Sequence, residues 1–168
     1  PAIYISNSKA NAENQDQGYQ MLTVENSTIS GSTGIEVKFT NATVNNCTIT
    51  ATAAEPTYDL NNNGSTTCGF AVVATDNTMK PDSPAPGGKI TVNGGNYSGL
   101  VGLSSLVDQS VYPDFKETEY EITAGYFTSD PSGYLAEGKA AVESDKAGYN
   151  YMVAEATTTP AEVVPAAP

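Results

Sequence analysis

Along this chain a β-branched residue is followed by any residue, then Asn or Gly, then a small residue, then an apolar residue two positions further on. The frame occurs at Ile5-Ser6-Asn7-Ser8-Lys9-Ala10, Val24-Glu25-Asn26-Ser27-Thr28-Ile29, Val44-Asn45-Asn46-Cys47-Thr48-Ile49 and Val92-Asn93-Gly94-Gly95-Asn96-Tyr97, and more loosely at Ile122-Thr123-Ala124-Gly125-Tyr126-Phe127. Within each copy, period-2 alternation predicts a strand with Val24, Val44 and Val92 facing inward and Thr23, Thr43 and Thr91 facing outward. The first three copies recur at about 20 residues, roughly the length of one coil of a β-solenoid. The later intervals are longer and hold the same coil with inserted loops. Ala51 to Thr67 contains Asn61-Asn62-Asn63-Gly64, and Asp76 to Lys89 contains Pro81, Pro84, Pro86, Gly87 and Gly88, which are strong turn formers.

Between the copies lies a second, shorter apolar element entered from a glycine: Gly34-Ile35-Glu36-Val37, Gly69-Phe70-Ala71-Val72-Val73 and Gly99-Leu100-Val101-Gly102. Each coil therefore reads as two strands joined at a turn. The fold class expected is all-β: a right-handed single-stranded parallel β-helix of about five coils. Parallel strands of successive coils lie about 4.8 Å apart, so like residues stack on like. Asn7, Asn26 and Asn46 then form a ladder at the turn, where Asn tolerates the left-handed conformation and its amide can bond the next coil. Gly94 takes the same place in the fourth copy.

The chain divides into coils over 1–127, a cap over 128–153 and a Thr/Pro/Ala-rich linker over 154–168. Thr128 to Gly138 offers a cap residue, Pro131 at a first helical position and a closing glycine, which predicts a short helix. Lys139–Glu143 and Tyr149–Val153 are expected to pair as a hairpin across the intervening turn. Such a cap protects the open edge of a terminal coil.

Composition narrows the chemistry. The net charge is −12, from 19 acidic and 7 basic residues; all the basic residues are lysines, so His and Arg are absent, as is Trp. Without basic runs the chain is a poor partner for nucleic acid, and an anionic membrane repels it. No apolar run approaches the roughly 20 residues that span a bilayer, so membrane insertion is not expected. The absence of His and Arg removes the usual proton-transfer residue and the usual fork for carboxylates and phosphates. Charged residues amount to only 15%, and the Asn, Ser, Thr and Gly that replace them suit a protein outside the cell.

Two stretches, Ile90-Thr91-Val92-Asn93-Gly94-Gly95-Asn96-Tyr97-Ser98 and Ile122 through Gly138 with its Asp130-Pro131-Ser132-Gly133-Tyr134 core, resemble the parallel β-helix surface proteins of gut-type Gram-positive bacteria, which are adhesin-like. The resemblance covers the later half of the chain best. It implies a pectate-lyase-like β-helix, exported and held at the bacterial cell surface, and it implies no catalytic residue; the sequence itself is expected to be part of a longer surface protein.

Candidate sites are few. Asp59-Leu60-Asn61-Asn62-Asn63-Gly64 opens like a calcium loop, with oxygen ligands from Asp59, Asn61 and Asn63, but position twelve is Phe70 rather than a bidentate carboxylate. An ordinary turn explains it as well, so Ca2+ is a weak expectation and no other cofactor is expected. The spacing of Cys47 and Cys68 allows a disulfide in an exported protein, while the alignment of Cys47 with inward small residues favours a buried free thiol. Asp108, Asp114, Glu117, Glu119 and Glu121, with Lys116 as base, are the set from which a polysaccharide lyase or glycosidase would draw. Asn-x-Ser/Thr sequons at Asn26, Asn41, Asn46, Asn63 and Asn96 follow from composition. Among ten tyrosines, Tyr112, Tyr120, Tyr126 and Tyr134 crowd the later repeats, and Tyr112, Phe115 and Tyr120 are the expected contact surface. The reading that follows is a non-enzymatic, adhesin-like surface segment presenting loops to a host glycan or protein. A polysaccharide-active enzyme on the same fold and a structural spacer are the alternatives.

Overall fold

The computed structural model describes residues 1–6, 21–58, 67–76, 88–105, 110, 113 and 117–157. Strands take up 64% of these residues and no α-helix occurs among them, so the chain is all-β. In chain order the strands are β1 (Ile3–Ser6), β2 (Met21–Glu25), β3 (Thr28–Gly31), β4 (Ile35–Lys38), β5 (Asn41–Ala51), β6 (Thr57–Tyr58), β7 (Thr67–Cys68), β8 (Phe70–Asp76), β9 (Lys89–Ser98), β10 (Leu100–Ser105), β11 (Glu119–Phe127), β12 (Lys139–Glu143) and β13 (Tyr151–Glu155).

One sheet has the order β1-β4-β8-β10, all parallel. The second runs β2-β5-β9-β11-β13-β12, parallel from β2 to β11, with β3 beside the later part of β5. A separate antiparallel pair, β6 and β7, lies within the predicted insertion. From β4 onward, the two larger sheets receive the chain alternately: β4, β8 and β10 on one side, β5, β9 and β11 on the other.

Repeat residues pair with their counterparts. Val24, Val44, Val92 and Ile122 share one register row, and Ile29, Ile49, Tyr97 and Phe127 share another. The opposite sheet contributes rows Ile3-Ile35-Val72 and Ile5-Val37-Ala74. All these residues meet in one apolar cluster between the sheets, and each fully buried aliphatic or aromatic side chain contributes roughly 1.5–3 kcal/mol. Tyr97 stacks on Phe127 at 4.8 Å between ring centroids. Its hydroxyl, the polar atom carried into the core, donates to the Gly94 carbonyl at 2.8 Å, and burial pushes the phenol pKa up.

The turn in the middle of each repeat has the expected backbone. Asn26 (φ 48°), Asn46 (φ 50°) and Gly94 (φ 77°) all lie in the left-handed region. At the far end, β13 pairs antiparallel with β11 through Tyr126–Met152 and Phe127–Tyr151, and β12 pairs with β13. The hairpin's second strand begins at Tyr151, two residues later than the alternation predicts. The expected short helix is a single 3-10 turn, Ser132–Tyr134, with Pro131 at its cap rather than inside it. Asp130 closes that turn by accepting from the Ser132 amide at 2.9 Å and from its hydroxyl. These bonds hold the carboxyl below the ordinary Asp range.

The disulfide that the spacing allows does not form: both cysteines are free. Cys47 is buried, with Sγ directed at the Val24 and Asn45 carbonyls, whereas Cys68 faces Thr57 and the Glu55 carbonyl in the β6–β7 pair. The two thiols thus belong to different packing environments. Dithiothreitol is expected to leave the thermal midpoint unchanged, and iodoacetamide to label Cys68 well before Cys47. Equal labelling rates, or destabilisation on reduction, would contradict this arrangement.

Candidate functional site

Alternation that sends Val44 and Val92 inward sends a polar set outward on the same strands. The outer face of β2, β3, β5 and β9 carries rows Thr23-Thr43-Thr91, Thr28-Thr48-Asn96 and Ser30-Thr50-Ser98. A further row is linked side chain to side chain. Asn45 Nδ2 donates to Glu25 Oε1 at 2.8 Å, Asn93 Nδ2 to Asn45 Oδ1 at 3.0 Å, and Thr123 Oγ1 to Asn93 Oδ1 at 2.8 Å. This corrects the expected ladder. Asn26 and Asn46 supply the left-handed turn, but the bonded ladder runs one residue earlier. A residue with extended backbone holds its side chain roughly perpendicular to the sheet, which puts Glu25, Asn45 and Asn93 in a row. Asn7 lies outside the described residues.

The row Thr28-Thr48-Asn96 ends at Tyr126, the register partner of Asn96 on β11. There the turn of the β12–β13 hairpin folds back. The Lys146 ammonium sits 4.8 Å from the Tyr126 ring centroid and 5.5 Å from that of Tyr149, within cation–π reach of both. It also donates to Asn96 Oδ1 at 2.5 Å, and Asn96 in turn donates to Thr48 Oγ1 at 3.1 Å. The Tyr126 and Tyr149 rings are tilted, with centroids 6.3 Å apart. Beyond Tyr149 the hairpin carries an open cleft of about 390 Å³, lined by Val142, Glu143, Ser144, Tyr149, Asn150 and Tyr151 among others.

Of the residues singled out from sequence as a contact surface, Tyr112 and Phe115 lie outside the described residues. Tyr120 is half-buried and committed elsewhere: its hydroxyl donates to the Gly102 carbonyl of β10 at 2.5 Å, and its ring packs on Tyr134 at 4.7 Å. It ties β11 to the opposite sheet rather than facing a ligand. Asp59, Asn61 and Asn63 lie outside the described residues, as do Asp108, Asp114 and Lys116. Among the described residues no group of three or more His, Cys, Asp or Glu could hold a metal. Glu121 is paired with Lys89 at 2.5 Å, and that hydrogen bond raises the Lys89 pKa. No helix among the described residues is long and apolar enough to cross a membrane.

The corner formed by Lys146, Tyr149 and Asn96 escapes a reading of the sequence by motif. Asn96 stands at an outward position of the fourth repeat, but only the fold-back of the hairpin turn brings Lys146 to it. Compared with family models, curated proteins and solved structures, the chain matches none.

Proposed function

We propose that this chain is a right-handed parallel β-helix segment of a bacterial cell-surface protein, non-enzymatic, that presents a rigid polar face to a host glycan or protein. Winding is supported by the alternation of the chain between two parallel sheets in matched register, and its hand by the near-universal right-handedness of parallel crossovers. The observation that carries the functional reading is the division of labour within the repeat. Inward positions are used up in packing, while outward positions form rows of hydroxyls and amides ending at an aromatic and cationic corner. Neutral donors and acceptors beside the half-buried Tyr126 and Tyr149 suit saccharide hydroxyls. An acidic, sparsely charged, Asn- and Thr-rich composition and the terminal Asp130-Pro131-Ser132-Gly133-Tyr134 segment support the surface location.

A glycan array probed with the intact chain tests the reading. Reproducible binding to a defined saccharide group is the expected result. A blank array, with no host protein retained either, would leave the spacer as the better description.

A further inference from the structure

We infer that the seam between the hairpin turn and the polar face is a subsite for a carboxylate-bearing sugar, with the Lys146 ammonium receiving the carboxylate and Tyr126 and Tyr149 flanking the sugar ring. This rests on the glycan-presenting reading above and names the chemistry of its ligand.

Charge singles out one lysine. Lys38 is buried, Lys89 is paired with Glu121 and Lys139 with Glu155, and these with Lys146 are the lysines among the described residues. Lys146 is exposed and, among the described residues, no carboxylate lies within ion-pair distance of it, although the chain carries 19 acidic residues against 7 basic ones. Instead it is held by a neutral amide oxygen and two ring faces. An ammonium has three donors, and Asn96 occupies one. The cation is thus fixed in position with donor capacity left over, which lowers the ordering cost of binding an anion.

The surface leading to Lys146 is polar and evenly stepped. The row Thr28-Thr48-Asn96 arrives at Tyr126 in steps of about 4.8 Å, close to the length of one pyranose in an extended chain. A neutral glycan running back from an acidic terminal sugar meets a hydroxyl or amide at each step. An acidic peptide finds no further cation along this row, and Glu25 and Glu121 stand on the same face. The negative net charge does not forbid a single carboxylate, because fields from distant charges are screened beyond about 8 Å at physiological salt.

Titration calorimetry with two trisaccharides that differ only in ending on glucuronic acid or glucose tests this. The wild-type chain is expected to prefer the glucuronate-ended probe about fivefold at low salt, and the preference should shrink in high salt. Lys146→Gln keeps an N–H donor for Asn96 and lies on an exposed turn. It should bind both probes equally, with an unchanged thermal midpoint as the folding control. Equal binding of the two probes by the wild type overturns the subsite, as does a preference that Lys146→Gln retains, or equally tight binding of tetraglutamate. If neither trisaccharide binds and the array is blank, the glycan reading beneath the subsite fails with it; a positive array with equal probes removes the subsite alone.

Discussion

A chain carrying Gly95→Val is expected to lose its cooperative thermal transition. Gly95 sits on β9 opposite Cys47 of β5, with φ +108°, a conformation L side chains rarely adopt. A Cβ there would fall 2.3 Å from the Cys47 carbonyl oxygen and 2.8 Å from its amide nitrogen. Both are backbone atoms of the neighbouring strand, so no side-chain rotation relieves the clash. Backbone strain of about 1–3 kcal/mol adds to overpacking of about 1–3 kcal/mol. The sum is a large part of the 5–15 kcal/mol by which a domain is normally stable. The damage is not local, because β9 also carries Ile90, Val92 and Tyr97 and joins β5 to β11. Gly133→Ala is the control: among the described residues, no atom beyond its chain neighbours lies within 4 Å of its Cβ position, and its midpoint should move by less than a degree or two. Circular dichroism melts of the two variants decide it; a Gly95→Val chain that melts like wild type would show that β5 and β9 are not locked together there.

The same glycine shows where the sequence was readable. Gly95 and Cys47 occupy the small position of the repeat, and the register of β5 with β9 puts Cys47 on Gly95 as the repeat predicts. The rows of Val44 with Val92 and Ile49 with Tyr97 were legible for the same reason: a recurring frame constrains which residues can pair. What does not repeat was not legible. The turn between β4 and β5 uses Phe39 at φ 50°, a bulky residue in a conformation ordinarily signalled by Asn or Gly, so no turn residue marks it. Tyr120 reads as a contact residue because it stands among the tyrosines that crowd the later repeats, yet its side chain reaches across to Gly102 and Tyr134. The Lys146 corner depends on a contact between residues 50 apart, which no local pattern encodes.

Glu36 is the clearest case of a position that alternation misplaces, and it carries the second large effect. Its neighbours Ile35 and Val37 face the core, so Glu36 is expected on the solvated side of β4. It is nonetheless fully buried. Thr67 of β7 and Thr75 of β8 donate hydroxyls to its carboxylate at 2.7 and 3.2 Å, and Thr33 joins through Thr67 at 3.0 Å. Lys38, two residues along the strand, is buried as well. Burial raises the Glu36 pKa above the ordinary range, and the threonine hydrogen bonds only partly counter this. Burial lowers that of Lys38, which the Glu36 charge partly offsets. The carboxyl is therefore a fastener between β4, β7 and β8 rather than a reagent, because nothing from solvent reaches it.

Glu36→Ala is expected to cost about 3 kcal/mol, since it leaves the Thr67 and Thr75 hydroxyls without their acceptor in a buried site. The pH dependence has a definite sign. With its folded pKa above the unfolded value, Glu36 binds more protons in the folded state, so its contribution is complete below the ordinary Glu range. That contribution is lost as pH rises through the raised folded pKa. Glu36→Gln preserves the shape and an acceptor oxygen but cannot ionise. Urea unfolding of wild type and Glu36→Gln from about pH 4 to 7 should therefore show wild-type stability falling relative to the Gln variant as pH rises. The effect of Lys38 has the opposite sign, wild-type stability rising with pH through its lowered folded pKa, and subtracting the Gln series removes whatever part of it both chains share. A difference that stays flat would mean that Glu36 is solvated in solution and that β7 is not fastened through it, and one that grows in favour of wild type with pH would mean that the threonine hydrogen bonds outweigh burial and hold Glu36 ionised.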